Sequence, residues 1–142
     1  MKARILVTGG LGFIGVRLCR LLIENQPEAE LTIVDNLSST ILDYSDLSND
    51  AEIIVADMRS VSEQQPFDEI YHLASPVGSV GILQYSGRIA GDIVSLAEKA
   101  ADLAEASGAR LSYVSSSEVY GRDVSHDEAA QQIVPCLRGP RL

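Results

Sequence analysis

Gly9, Gly12 and Gly15 stand three apart, between an apolar run ending at Thr8 and a segment of helical period starting at Phe13. A tight turn needs a residue without Cβ, a pyrophosphate needs close backbone approach, and the helix must pack closely on the strand. The helix N-terminus then offers N–H groups and the positive end of its dipole to the phosphates. Set between a strand and a helix, the triplet predicts dinucleotide binding; alone it would be only a Gly-rich turn. Asp35 follows Gly15 by 20 residues, at the end of a second apolar run. A carboxylate there can accept both hydroxyls of an adenosine ribose and would repel a 2′-phosphate, which favours NAD over NADP. The plainer reading is a cap or turn aspartate. Asp57 ends a third run, where an adenine edge would lie, and there too a cap is the competing reading.

Ser115, Ser116 and Ser117 with Glu118 follow a later run. Their plain readings are turn hydroxyls bonded to backbone and a solvated strand-end carboxylate. His72 ends a strand and reads as a satisfied core histidine; His126, in an acidic stretch, reads as surface. Neither has a metal-ligand partner at helical spacing, so no metal is expected.

These residues need elements to hold them, and the pattern supplies them. Strands are predicted over 3–8, 31–34, 52–55, 68–73 and 110–115, and residues 36–50 as loop with a short helix. A helix is predicted over 13–25, with Ile14, Leu18, Leu21 and Leu22 on its apolar stripe and Arg17, Arg20 and Glu24 opposite. A second helix runs from Arg88 to Ser107, with Ile89, Ile93, Leu96, Ala100 and Leu103 at steps of three or four and Gly108 as its stop. Residues 74–87 read as loop, and little periodicity follows Gly121. Strands alternating with helices imply an α/β fold, a Rossmann-type doubly wound parallel sheet. Such sheets bind ligands at the carboxyl ends of their strands, where the chemically interesting residues fall.

Composition narrows the classes. The 142 residues carry 11 Lys+Arg against 20 Asp+Glu, a net charge of −9. With 46% hydrophobic and 22% charged residues, the expectation is one soluble globular domain. An acidic surface repels phosphate backbones, so no nucleic-acid partner is expected. No apolar run reaches membrane-spanning length, so no membrane partner is expected either. The apolar N-terminal run is broken by glycines, unlike a signal peptide. Cys19 and Cys136 form no ligand spacing, and the expected setting is cytoplasmic, with free thiols.

Taken in order, Thr8 to Gly15, Asp35-Asn36-Leu37, Asp57-Met58, His72-Leu73-Ala74-Ser75 and Ser115 to Gly121 resemble the extended short-chain dehydrogenase/reductases that modify nucleotide sugars. The resemblance implies NAD as cofactor and a nucleotide-sugar substrate, with a UDP-sugar foremost. It adds Phe13, Ile14, Asn36 and Met58 to the cofactor-binding set of Gly9, Gly12, Gly15, Asp35 and Asp57, and places Leu73, Ala74 and Ser75 along the nicotinamide ribose. It makes Ser116 the hydroxyl of the catalytic Ser/Thr-Tyr-Lys set, with Ser117 and Glu118 beside it as catalytic candidates. The sugar 4-hydroxyl is then oxidised to a ketone. The Ser117-Glu118 pair, residues 71–76 and the late Gly139-Pro140-Arg141 resemble the UDP-glucuronate decarboxylases, which implies conversion of UDP-glucuronate to UDP-xylose. A UDP-sugar 4-epimerase is the alternative, and a non-catalytic, regulatory NAD-binding domain is another.

The sequence departs from that family in two ways. Asp92 stands at the position matched to an active-site Asn of the long helix. No Tyr-x-x-x-Lys occurs in the chain. The expectation is therefore one NAD-binding domain over 1–142, truncated before its substrate domain, inactive alone and homodimeric in the parent enzyme.

Overall fold

The structure, a computed structural model, describes residues 2–40, 42–76 and 88–116. Five strands form one sheet: β1 (Arg4–Thr8), β2 (Glu30–Asp35), β3 (Ala51–Val55), β4 (Glu69–His72) and β5 (Arg110–Tyr113). Among the described residues two α-helices join them, α1 (Phe13–Asn25) and α2 (Ile89–Ser107), with 3₁₀ turns at Ser45–Asn49 and Met58–Ser60. The order is β3-β2-β1-β4-β5, and every pairing is parallel. The order reverses beside β1, which opens a crevice at the carboxyl ends of β1 and β4. The expected α/β, Rossmann-type sheet is present.

β1 lies at the centre because both its faces are apolar. Ile5 and Val7 pack with Leu11, Val16, Cys19, Leu22, Leu31 and Ile33 on one side. Leu6 packs with Val34, Met58, Phe67, Ile70, Ala100 and Leu103 on the other. Successive strand side chains point to opposite faces, so neighbouring residues feed two separate cores.

The apolar stripe of α1 differs from the expected one. Its buried residues are Gly15, Val16, Cys19 and Leu22, whereas Ile14 and Leu21 are 58% and 55% exposed. Gly15 causes the rotation. A Cβ there would sit 2.4 Å from the Gly9 carbonyl oxygen and 2.6 Å from the Gly10 backbone. The helix must turn this face to the glycine turn, and the buried line then runs through 16, 19 and 22 rather than 14, 18 and 21. On α2, Ala100 and Leu103 are buried as expected, while Ile89, Ile93 and Leu96 are half-buried. Gly108 ends the helix in the left-handed region, at φ 64°. β5 stops at Tyr113 rather than Ser115. No helix among the described residues is long and apolar enough to cross a membrane.

Candidate cofactor site

The glycine turn is built by contact with the neighbouring strand ends. Gly9 has φ +69°, and a Cβ on it would lie 2.7 Å from the Ala74 nitrogen and 2.8 Å from the Leu73 carbonyl carbon. Its N–H donates to the Val34 carbonyl at 2.8 Å, and the Leu73 N–H donates to the Thr8 carbonyl at 2.9 Å. The turn after β1 and the segment after β4 are thus seated on each other, which brings Gly9, Leu73 and Ala74 together. Gly12 is different. Its φ is −74°, and a Cβ would meet only the Gly9 oxygen at 3.4 Å. Nothing in the described protein demands glycine there, whereas a pyrophosphate lying against the turn would. Gly12 caps α1 without a side-chain bond, and no acidic residue stands in the first turn. The first N–H groups of a helix lack intrahelical acceptors, so this end suits an anion. Phe13 and Ile14 present exposed side chains beside it.

Asp35 is 9% exposed and works at the end of β2. Its Oδ2 accepts the Leu11 N–H at 3.0 Å, and its Oδ1 accepts the Leu37 N–H at 2.8 Å. A carboxylate has about four acceptor positions, so each oxygen keeps one, enough for two ribose hydroxyls. The turn reading and the ribose reading of Asp35 are therefore compatible. Leu37 has φ 61°, an uncommon conformation for a residue with a branched side chain, and the bond to Asp35 secures it. Asn36 is exposed, and its Oδ1 accepts the Ser38 N–H at 3.0 Å. Residues 36–40 include no basic side chain to receive a 2′-phosphate.

Asp57 stands beside Asp35, because the next residue in from it, Ala56, donates its N–H to the Asp35 carbonyl at 3.0 Å. It caps the 3₁₀ turn, accepting the Arg59 N–H at 2.9 Å, and pairs with the Arg59 guanidinium. Hydrogen bonds from Arg59 hold its carboxyl below the usual range, with burial opposing. Arg59 was not foreseen as part of the site. Its bond to Asp57 is local, but its second partner, Asp92, lies 33 residues away, a pairing without any local signal. Met58 is 3% exposed and packed in the core under α2. With its side chain in the core, any contact of Met58 to a cofactor would come from its backbone.

His72 is satisfied as expected. Its Nδ1 lies 2.8 Å from the Thr8 hydroxyl, and burial lowers its pKa. Ser75 is exposed just past β4, and Ser116 is exposed three residues past β5. Since β4 and β5 are parallel neighbours, both serines follow strand ends on the same edge as the glycine turn. Ser117 and Glu118 lie outside the described residues. A groove of about 500 Å³, lined by Arg4, Glu30, Asp50 and Glu52 among others, opens at the amino ends of the strands and includes none of the candidate residues. Among the described residues no cluster of metal ligands occurs.

Comparison with known proteins agrees with this geometry. A UDP-N-acetylglucosamine 4-epimerase from Methanobrevibacter ruminantium M1, in complex with UDP-N-acetylmuramic acid, is similar with TM-score 0.79 and 26% identity, over 96% of this chain and 46% of that one. A UDP-galactose 4-epimerase is similar with TM-score 0.66 and 30% identity, over 83% and 40%. An NAD dependent NDP-hexosamine 5,6-dehydratase involved in tunicamycin biosynthesis is similar with TM-score 0.74 and 26% identity, over 88% and 41%. The chain thus spans under half the length of each. A comparison with curated proteins found no match to the chain. The match of residues 5–138 takes in the glycine turn, both aspartates and the strand-end serines, and by it the chain belongs to the NAD dependent epimerase/dehydratase family, whose cofactor is NAD.

Proposed function

We propose that residues 1–142 are the NAD-binding domain of an enzyme that modifies a nucleotide sugar through a 4-keto intermediate. The observation that carries this is the seating of the glycine turn on Ala74, with Asp35 alongside. The α1 N-terminus would hold the pyrophosphate, Asp35 the adenosine ribose, Asp57 the adenine edge, and Leu73, Ala74 and Ser75 the nicotinamide ribose. NAD, when bound, supplies the acceptor and later the donor of the C4 hydride. Ser116 would hydrogen-bond the sugar 4-hydroxyl and orient it while its proton passes to a base, by resemblance the Tyr of a Tyr-x-x-x-Lys that these 142 residues do not contain. Ser117 and Glu118 would act on the sugar ring from the same segment.

Within this chemistry the residues favour UDP-glucuronate as substrate. A ketone at C4 makes the C6 carboxylate a β-keto acid. The C5–C6 bond then breaks with loss of CO₂, a proton is taken up at C5, and return of hydride to C4 leaves UDP-xylose. Ser117-Glu118 and residues 71–76 support this reading by resemblance. A second reading, 4-epimerisation, is supported by the activities named for two of the similar structures. The same domain would serve either, as part of a cytoplasmic homodimer. The test is to supply NAD with UDP-glucuronate or UDP-galactose to the protein encoded by the gene that carries this sequence. Release of CO₂ with UDP-xylose supports decarboxylation. Conversion of UDP-galactose to UDP-glucose without CO₂ supports the epimerase. NAD binding without either reaction would leave a regulatory domain.

A further inference from the structure

We propose that Arg59 is a positioning residue that presets the nucleobase contact of the cofactor site, by clamping Asp57 between the end of β3 and the first turn of α2. The inference rests on the NAD-binding reading above and adds to it the residue that shapes the adenine end.

The clamp has two jaws. Toward β3, the Arg59 Nε donates to Asp57 Oδ1 at 2.9 Å and to Oδ2 at 3.1 Å. Its Nη2 also donates to Oδ2, and its backbone N–H donates to Oδ1 at 2.9 Å. Toward α2, its Nη1 donates to Asp92 Oδ1 at 3.1 Å and to Ser95 Oγ at 3.2 Å. Ser95 is itself fixed, its hydroxyl donating to the Asp92 carbonyl at 3.1 Å. A planar guanidinium with a fixed fork can hold two sites at once; an ammonium on a flexible stem cannot.

The clamp decides what Asp57 has left to offer. Oδ1 already takes two donors, and Oδ2 takes Nη2 and a share of Nε. Of about four acceptor positions, roughly one remains, on Oδ2, in a fixed direction. One amino group, as on adenine, fits it. A base carrying a carbonyl at the same position would bring an acceptor against a carboxylate. Asp92 supplies the acceptor of the second jaw, through its Oδ1 on α2. Arg59 also leaves one net negative charge among the three ionised groups instead of two, beside a cofactor that is itself anionic.

The test is a calorimetric titration of the chain with NAD and with its hypoxanthine analogue, which replaces the 6-amino group by a carbonyl. Wild type should prefer NAD by roughly tenfold, the worth of one hydrogen bond to a charged group. Arg59→Met should abolish most of that preference, and Arg59→Lys should not restore it. Asp92→Leu should weaken the preference while leaving Arg59 and Asp57 in place, so the second jaw is tested even if the Arg59 variants fail to fold. Asp92→Asn, which keeps an oxygen for Nη1, should rescue it. Equal loss of affinity for both dinucleotides in Arg59→Met and Asp92→Leu would overturn the proposal, because a merely structural tie does not read the base. A wild-type chain that binds both dinucleotides equally would overturn it and leave the NAD reading standing. A chain that binds neither would overturn both.

Discussion

The Thr8 hydroxyl and the His72 Nδ1 lie 2.8 Å apart, at directly paired positions of β1 and β4. Both residues are buried. The other side of the imidazole meets Tyr113, with ring centroids 5.2 Å apart. One side chain thus ties β1, β4 and β5 together where their carboxyl ends form the crevice, immediately before Gly9 and Leu73.

This contact predicts how stability depends on pH. Burial pushes the His72 pKa below its ordinary value, so the unfolded chain takes up the proton first as pH falls. Stability is then full above about pH 6.5 and declines as the pH drops toward the folded-state pKa. Asp46, Asp57 and Asp68 are held low mainly by bonds from Arg20, Arg59 and Arg4. Their contributions persist until more acid conditions, below roughly pH 4. Urea unfolding between pH 7.5 and 5 should therefore show a falling midpoint in wild type and a flatter profile in His72→Asn. An unchanged slope in that variant would remove His72 as the cause.

Two glycine substitutions should move stability in opposite directions. Gly9→Ala places a methyl group within 2.8 Å of the Leu73–Ala74 backbone, at φ +69°. Strain and displacement of the crevice wall should cost about 1–3 kcal/mol. NAD binding should weaken with it. At Gly91 a Cβ meets nothing within 4 Å, and the residue lies in α2. Gly91→Ala should stabilise by about 0.5–1 kcal/mol through helix propensity. Denaturant midpoints of both variants check the pair.

Asp35 has a structural task and, by the proposal above, a binding one, and the two separate by substitution. Asp35→Ala leaves the N–H of Leu11, a fully buried residue, without its acceptor. That should cost about 1–3 kcal/mol with no cofactor present. Asp35→Asn keeps an acceptor for Leu11 and should retain more of the stability, while losing the charge that disfavours a 2′-phosphate. Wild type should bind NAD more tightly than NADP, and the margin should shrink in Asp35→Asn. Equal binding of the two cofactors by wild type would remove the ribose role from Asp35.

Much of this was legible in the sequence because it was local. The bounds of α1, Phe13–Asn25, follow from periodicity and from Pro27. The glycine turn and the strand-end aspartates follow from spacing within one strand–turn–helix unit. What the sequence hid was set by contacts between distant segments. The rotation of α1 depends on Gly15 meeting Gly9 and Gly10, which outweighs the leucine stripe. Met58 is adjacent to Asp57 but turns into the core beneath α2. Arg59 reads as a loop arginine until α2 brings Asp92 and Ser95 to it.

The last prediction concerns Cys19, which lies under the glycine turn. It is fully buried, and its thiol approaches the Gly10 carbonyl at 3.7 Å. Burial and, secondarily, the nearby Asp35 charge push its pKa up to about 12. Thiolate is the reactive form, so at pH 8 both access and ionisation oppose alkylation. Labelling of the Cys19 peptide by iodoacetamide, followed by mass spectrometry, should be far slower than for a free thiol and should track opening of the fold. NAD held at the turn, as proposed, would close the same region. At 100 times its Kd a ligand stabilises the closed form by about 2.7 kcal/mol, so labelling through an opening that releases NAD should slow by roughly 100-fold. Rapid labelling in the native chain would mean that the turn opens freely above α1. Slow labelling that NAD leaves unchanged would mean that Cys19 is exposed by an opening that keeps the cofactor bound.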